Sequence, residues 1–226
     1  MEAIVLAGGF GTRLRKVVPD LPKPMAPIGG RPFLEILLTS LANKGFNHVV
    51  LSVGYMATTI ADHFGDGFAG LELVYVTEEE PLGTGGAVRA ALDHCVSDHA
   101  FILNGDTFLD FEADRIEALW QSHRNPIIVG CQVHDTDRYG RLIIEQGRVV
   151  GFMEKGTSGP GVINAGCYVF GRHLLDQFSA GSVFSLEKDF LERSTKALEL
   201  ECFLTSGQFI DIGVPEDYEL AQNILR

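Results

Sequence analysis

Through the first hundred residues, short apolar, β-branched runs alternate with amphipathic stretches, and this alternation most constrains what the chain can fold into. Ala3-Ile4-Val5-Leu6, His48 to Val53, Leu71 to Val76 and Ala100 to Leu103 read as strands. Phe33 to Lys44 has helical periodicity and ends at Gly45, where a left-handed cap fits; Thr58 to Phe64 and about Gly85 to His94 read as further helices. The order β, α, β, α, β, α, β predicts crossover units of a parallel sheet with helices on its faces. Open α/β sheets bind ligands beyond the carboxyl ends of their strands. The segments to inspect therefore follow Leu6, Val76 and Leu103: a glycine loop, Glu78, and Asn104-Gly105-Asp106.

The second half changes character. Arg141 to Glu145, Gln146-Gly147 and Arg148 to Met153 predict a hairpin. Ser185 to Lys196 is expected to be helical, Leu198 to Leu204 a strand, and Pro215 to Leu225 a closing helix with Pro215 in its first turn. The prediction is one α/β domain over 1–226, a Rossmann-like, mostly parallel mixed sheet flanked by helices with a small antiparallel subregion, its two halves meeting near residue 125.

A chain of 226 residues, 46% hydrophobic and 21% charged, can bury a substantial core. Its net charge of −12 argues against nucleic acid or an anionic membrane as partner, because the long-range field repels both. Arg13, Arg15, Lys16, Lys23 and Arg31 form a local exception near the start, either a solvated basic face or an anion site. Cys95, Cys131, Cys167 and Cys202 are scattered through apolar runs without a Cys-x-x-Cys pair, as expected of reduced core residues in a cytoplasmic protein. The seven histidines lack metal-site spacing, the apolar run after Glu2 stops at Gly8-Gly9, and no run is long enough to span a bilayer.

The loop Leu6-Ala7-Gly8-Gly9-Phe10-Gly11-Thr12-Arg13-Leu14 lacks the Gly-Lys-Ser/Thr ending of a Walker loop, and Leu14 stands where a dinucleotide fingerprint needs its last glycine. What remains is a strand, three glycines, Thr12 and Arg13, then Pro22-Lys23-Pro24. Glycines let backbone N–H groups approach phosphate oxygens, Arg13 offers a bidentate fork to a pyrophosphate, and the prolines stiffen the backbone around Lys23. Asp106 and Asp211 each follow an apolar run, a setting that suits a carboxylate ligand of Mg²⁺; each alone equally suits a turn or a cap.

These segments resemble the sugar-phosphate nucleotidyltransferase family, whose signature is Gly-x-Gly-Thr-Arg followed by Pro-Lys-Pro. Leu82-Gly83-Thr84-Gly85-Gly86, Asn104-Gly105-Asp106, Arg138-Tyr139-Gly140, Glu154-Lys155, Asn164-Ala165-Gly166 and Asp211-Ile212-Gly213 follow in family order over essentially the whole chain. The resemblance implies that Asp106 and Asp211 converge on one Mg²⁺. It implies a nucleotide site from Leu6, Ala7, Gly8, Gly9, Gly11, Thr12, Arg13, Lys23, Gly83 and Thr84. It places Lys155 on the sugar phosphate, Glu154 on sugar hydroxyls, and Asn104, Gly140 and Asn164 at the sugar; Gly140 and Asn164 also fit ordinary turns, and Glu154-Lys155 a surface pair.

Where thymidylyl and uridylyl members commonly carry glutamine, this chain has Glu78-Glu79-Glu80. An ionised carboxylate only accepts, and guanine presents two adjacent donors, so Glu78 points to GTP unless the three glutamates form a solvated turn. The implied reaction is in-line attack of a sugar 1-phosphate on the α-phosphorus. A phosphate monoester with a second pKa of about 6 needs no general base for this. Arg13 would hold the leaving pyrophosphate, Lys23 the α-phosphate and Lys155 the incoming phosphate.

Among family members the resemblance is greatest to guanylyltransferases of manno-configured sugar phosphates, heptose ahead of mannose, with an amino-sugar uridylyltransferase third. A metal-dependent glycosyltransferase using Asp135-Thr136-Asp137, and a non-catalytic sugar-nucleotide sensor, are the rivals from other classes. Homo-oligomers are compatible with all of these.

Overall fold

The computed structural model describes residues 1–9, 14, 17–153 and 155–225. The strands are β1 (Glu2–Leu6), β2 (Pro27–Ile28), β3 (Arg31–Pro32), β4 (His48–Val53), β5 (Gly67–Phe68), β6 (Leu71–Thr77), β7 (His99–Asn104), β8 (Thr107–Leu109), β9 (Ile127–Val133), β10 (Arg141–Glu145), β11 (Arg148–Met153), β12 (Gly161–Gly171), β13 (Glu201–Thr205) and β14 (Phe209–Asp211). The helices are α1 (Phe33–Asn43), α2 (Ala57–Phe64), α3 (Gly83–Leu92), α4 (Ala113–His123), α5 (Glu192–Ser194) and α6 (Pro215–Ile224).

Among the described residues, ten strands form one sheet in the order β10-β11-β13-β9-β12-β7-β1-β4-β6-β5. β7, β1, β4 and β6 are parallel neighbours, as are β9 and β13, while β12 runs antiparallel between β7 and β9. Following the pairings across the sheet, only β5, β11 and β12 oppose the common direction among the described residues. The carboxyl ends of β1, β6, β7, β9 and β13 therefore share one edge.

Alternation along the central strands explains the two-sided core. Ala3 and Val5 of β1, Val49 and Leu51 of β4, and Phe101 and Leu103 of β7 pack with α1, α2, α4 and α6. Ile4, Val50, Ala100 and Ile102 face the other way, onto Val88, Ala91 and Leu92 of α3 and onto Phe184, Leu186 and Phe190. Each fully buried valine, leucine or isoleucine among them contributes about 1.5–3 kcal/mol.

The first-half elements lie where the patterning puts them, with α3 starting two residues early, at Gly83. Of the strands described in the main sheet, β5, β9 and β12 are absent from the sequence prediction, as is the helix α4. The hairpin forms with Gln146 and Gly147 in the left-handed region at its turn. This antiparallel subregion joins the main sheet, with Arg148 opposite Glu201 and Arg141 opposite Ile163.

The helical segment expected over Ser185 to Lys196 forms as a π-helix, Leu186–Leu191, running into α5. Ser185 begins it, its side chain accepting from Lys188 N–H while Asp189 accepts from Ser185 N–H at 2.9 Å. The strand expected from Leu198 begins only at Glu201, because Leu198 N–H still bonds to Ser194 O at the end of the helical segment.

Candidate active site

Two clefts open along the shared strand-end edge. The first, of about 300 Å³, is lined by Leu6, Gly8, Gly9, Glu78, Gly83, Thr84, Asn104 and Asp106. The second, of about 370 Å³, is lined by Asn104, Tyr139, Gly140, Lys155, Asn164, Glu187 and Asp211. Asn104 borders both.

β1 and β7 run side by side to Leu6 and Asn104, and Gly105 N–H then donates to Leu6 O at 2.9 Å. A Cβ on Gly105 would lie 2.5 Å from Leu6 O, so this glycine serves the packing of two strand ends. Asp106 follows directly. Asp211 is brought beside it by β8 and β14, an antiparallel ribbon pairing Asp211 with Thr107, and Ile212 N–H donates to Asp106 O at 3.0 Å. Chain positions 105 residues apart thus become neighbours.

Lys23 lies in a one-turn 3-10 helix between Pro22 and Ala26. Its ammonium bonds Asp106 and stands 3.9 Å from Asp211 Oδ1, with the lysine side chain only 9% exposed. Burial and then the Asp106 carboxylate push Asp211 above the usual aspartate range, against the opposing pull of Lys23 and the Gly213 N–H. Two carboxylates forced together offer hard oxygen donors with more negative charge than one lysine offsets, which fits a divalent cation such as Mg²⁺. No third acidic residue, histidine or cysteine joins them among the described residues, so the remaining positions on such an ion fall to water and substrate oxygens, as Mg²⁺ usually requires.

Glu78 is not a solvated turn. Its Oε2 accepts from Leu82 N–H at 2.9 Å and its Oε1 from the Ser52 hydroxyl at 3.0 Å, while Glu79 and Glu80 are exposed. The carboxylate passes so close to Gly8 that a Cβ there would lie 2.6 Å from Oε1. Each oxygen keeps a further lone pair for a ligand. Ala7 sits at the end of β1, its N–H bonded to Ser52 O at 2.7 Å, and is buried below the cleft. Gly83 and Thr84 line the cleft at the start of α3, where Thr84 Oγ1 also accepts from Leu186 N–H at 2.9 Å.

On the second cleft, Asn164 occupies a bulge of β12, its N–H 3.4 Å from Gly140 O, and Lys155 follows β11 on the rim. Gly11, Thr12, Arg13 and Glu154, together with Arg15 and Lys16 of the basic cluster, lie outside the described residues. The structure adds Tyr139, Glu187, Lys188 and Phe209 to the lining. Tyr139 stood within the Arg138-Tyr139-Gly140 segment, whereas Glu187 and Lys188 come from the π-helix and carry no local signal in the sequence. Asp135-Thr136-Asp137 forms a turn, Asp135 Oδ1 accepting from the N–H groups of Asp137 and Gly159. Thr136 is buried within it.

The family model described as nucleotidyl transferase matches residues 2–226, and this chain belongs to that family. It is 40% identical over 220 residues to D-glycero-alpha-D-manno-heptose 1-phosphate guanylyltransferase of Campylobacter jejuni, covering 96% of this chain and 97% of that one. A protein of the same description from Aneurinibacillus thermoaerophilus is 38% identical, covering 100% and 99%. Among solved structures, HddC from Yersinia pseudotuberculosis complexed with GMP-PN superposes with a TM-score of 0.86 at 35% identity, covering 100% of this chain and 99% of that one. The chain is accordingly an enzyme of the sugar-phosphate nucleotidyltransferase kind, a family that generally uses a divalent metal.

Proposed function

We propose that this enzyme joins GTP to D-glycero-α-D-manno-heptose 1-phosphate, giving GDP-heptose and pyrophosphate. The observation that carries this reading is the seam: two clefts of substrate size meet where Asp106, Asp211 and Lys23 converge. The roughly 1–125 half supplies the nucleotide side and the 126–226 half the acceptor side, with Asp211 crossing to complete the centre. The heptose assignment follows from the relatives that match over full length.

In the nucleotide cleft Glu78, held by Ser52 and Leu82, accepts from N1–H and the 2-amino group of guanine. Gly8, Gly9, Gly83 and Thr84 border the ribose and phosphates, with Gly11, Thr12 and Arg13 on the β- and γ-phosphates. Lys23 neutralises charge developing on the α-phosphate. Asn104, Gly140, Glu154 and Asn164 hold the sugar, and Lys155 orients its phosphate for in-line attack. Asp106 and Asp211 would hold Mg²⁺, which when bound screens the phosphates from one another. The nucleophile is already ionised, so positioning and charge neutralisation suffice without an acid–base residue. A cytoplasmic location belongs to the same reading.

A pyrophosphate-release matrix tests it, with four nucleoside triphosphates against heptose, mannose, glucose and N-acetylated sugar 1-phosphates, each with Mg²⁺ and with EDTA. The highest kcat/KM is expected for GTP with heptose 1-phosphate, abolished by EDTA. Preference for another triphosphate would overturn the Glu78 assignment, preference for another sugar would reassign the acceptor, and turnover in EDTA would remove the metal.

A further inference from the structure

The amide of Asn164 is committed on three sides. Its Nδ2 donates to the Tyr168 phenol oxygen at 2.8 Å and to Glu187 Oε1 at 2.8 Å, and its Oδ1 accepts from Gly166 N–H at 3.1 Å. Both amide protons are therefore used, and what remains for a ligand is one lone pair on Oδ1. The bulge between Asn164 and Cys167 is what lets Oδ1 reach Gly166 N–H.

Tyr168 is 2% exposed and is not among the residues lining the cleft. Its oxygen, having accepted from Asn164, has its single proton left for Glu187 Oε1 at 3.4 Å. Burial, and then the Glu187 charge, push the phenol well above its ordinary range, so it stays a donor. Glu187 in turn comes from the π-helix, whose irregular turn presents it and Lys188 to the cleft.

We propose that Tyr168 and Glu187 are positioning residues for the acceptor: they lock the Asn164 amide so that Oδ1 faces the substrate and reads one of its hydroxyls as a hydrogen-bond donor. This rests on the nucleotidyl-transfer reading of the cleft. A rotating asparagine would tolerate a hydroxyl, an ether or a carbonyl at that position. A locked acceptor demands a donor, so the sugar must carry a free hydroxyl there, and a deoxy or O-methyl analogue leaves a polar group unpaired.

The test is steady-state kinetics for both substrates on Tyr168→Phe, Asn164→Asp, Glu187→Gln and the double variant Asn164→Asp/Glu187→Gln, with melting temperatures. Tyr168→Phe should raise the sugar-phosphate KM about tenfold, the scale of one hydrogen bond, leaving the GTP KM unchanged. Asn164→Asp sets two carboxylates face to face and should raise it more. Glu187→Gln in that background should restore much of the loss, because glutamine supplies the missing donor. A double variant no better than Asn164→Asp, or a Tyr168→Phe effect equal on both substrates, would overturn the proposal. Exchange of the Asn164 side-chain amide protons in substrate-free protein decides the lock independently: slow in the native chain and faster in Tyr168→Phe supports it, whereas solvent-like exchange in the native chain refutes it. Failure of the native enzyme on every sugar 1-phosphate would instead defeat the functional reading, with the amide exchange still deciding the lock.

Discussion

The two clefts share Asn104 and one edge of the sheet, yet they are built differently. On the nucleotide side Leu6, Glu78 and Asn104 sit at or just beyond the ends of β1, β6 and β7, strands of one parallel set, and α3 starts at the rim. On the acceptor side Gly140 comes from a loop, Asn164 from a strand bulge, Glu187 from a π-helix and Asp211 from a separate ribbon. Side chains tie these pieces together: Asn164 to Glu187, Arg138 to Asp217, and the edge of the Tyr139 ring against Phe209 at 5.5 Å. A phosphate is the same in every nucleotide and can be left to backbone topology. A sugar is variable, and a network of side chains can be retuned without disturbing the sheet.

If the two clefts act as one site, the seam is where the comparison must break first. Asp106→Asn or Asp211→Asn is expected to lower Mg²⁺-dependent pyrophosphate release by about 10²–10³-fold, the scale for removing one charge-stabilising group from a reaction centre. Near-normal turnover in either variant would detach that aspartate from the chemistry and leave the clefts merely adjacent.

Glu78→Gln sharpens the nucleotide side alone. Glutamine can keep its oxygen on Leu82 N–H and turn its amide toward Ser52 Oγ, so the fold tolerates it. A bidentate contact to a base is worth about 1–3 kcal/mol of discrimination, so the GTP over UTP preference in kcat/KM should fall by one to two orders of magnitude. The sugar-phosphate KM should not move. Unchanged nucleotide selectivity would return Glu78 to a structural role.

The same difference in construction decided what was legible in the sequence. β1, β4, β6 and β7 announce themselves as apolar runs, and the residues that follow them are where the parallel-sheet rule points, so Glu78, Asn104 and Asp106 could be read directly. Asp211 was visible as a strand-end aspartate, but its approach to Asp106 depends on β8 and β14, three-residue strands too short to carry a pattern. β12 was missed because its bulge interrupts the period-two alternation at Ala165-Gly166. The π-helix hid Glu187 and Lys188 for a related reason, since its side-chain spacing differs from that of an α-helix. Tyr168 could not be distinguished from other core aromatics, because its role lies in one hydroxyl.

The two halves also interlock beside the nucleotide cleft, at the start of α3. Replacing a helical glycine by alanine ordinarily stabilises by about 1 kcal/mol. At Gly86 the added Cβ would lie 2.3 Å from Ser182 O and 2.7 Å from the Leu82 Cβ, and backbone cannot yield cheaply. Gly86→Ala should therefore reverse the usual sign and cost about 1–3 kcal/mol, read from the shift of the urea midpoint at constant slope. A stabilised variant would mean that the segment from Ser182 to Leu186 does not press on α3.

The smallest expected effect separates stability from function at the seam itself. The native chain holds a proton on Asp211 more tightly than the unfolded chain does, because burial and then Asp106 raise its pKa. The protonated form therefore favours the fold; that contribution is complete below the unfolded value and is lost as pH rises through the folded one. At neutral pH without metal, ionised Asp211 is a cost that asparagine removes, while asparagine still accepts the Gly213 N–H bond at 2.7 Å. Asp211→Asn, nearly inactive, should melt on the order of 2–4 °C above the native enzyme at pH 7 in EDTA, the scale of 1 kcal/mol in a chain of this size. The gap should narrow as pH falls toward the ordinary aspartate range, and saturating Mg²⁺ should close it from the other side by stabilising only the native chain. A variant that melts below the native enzyme at pH 7 in EDTA would show that Lys23 and the Gly213 N–H already outweigh the repulsion, and that the aspartate pair is not held in reserve for a cation.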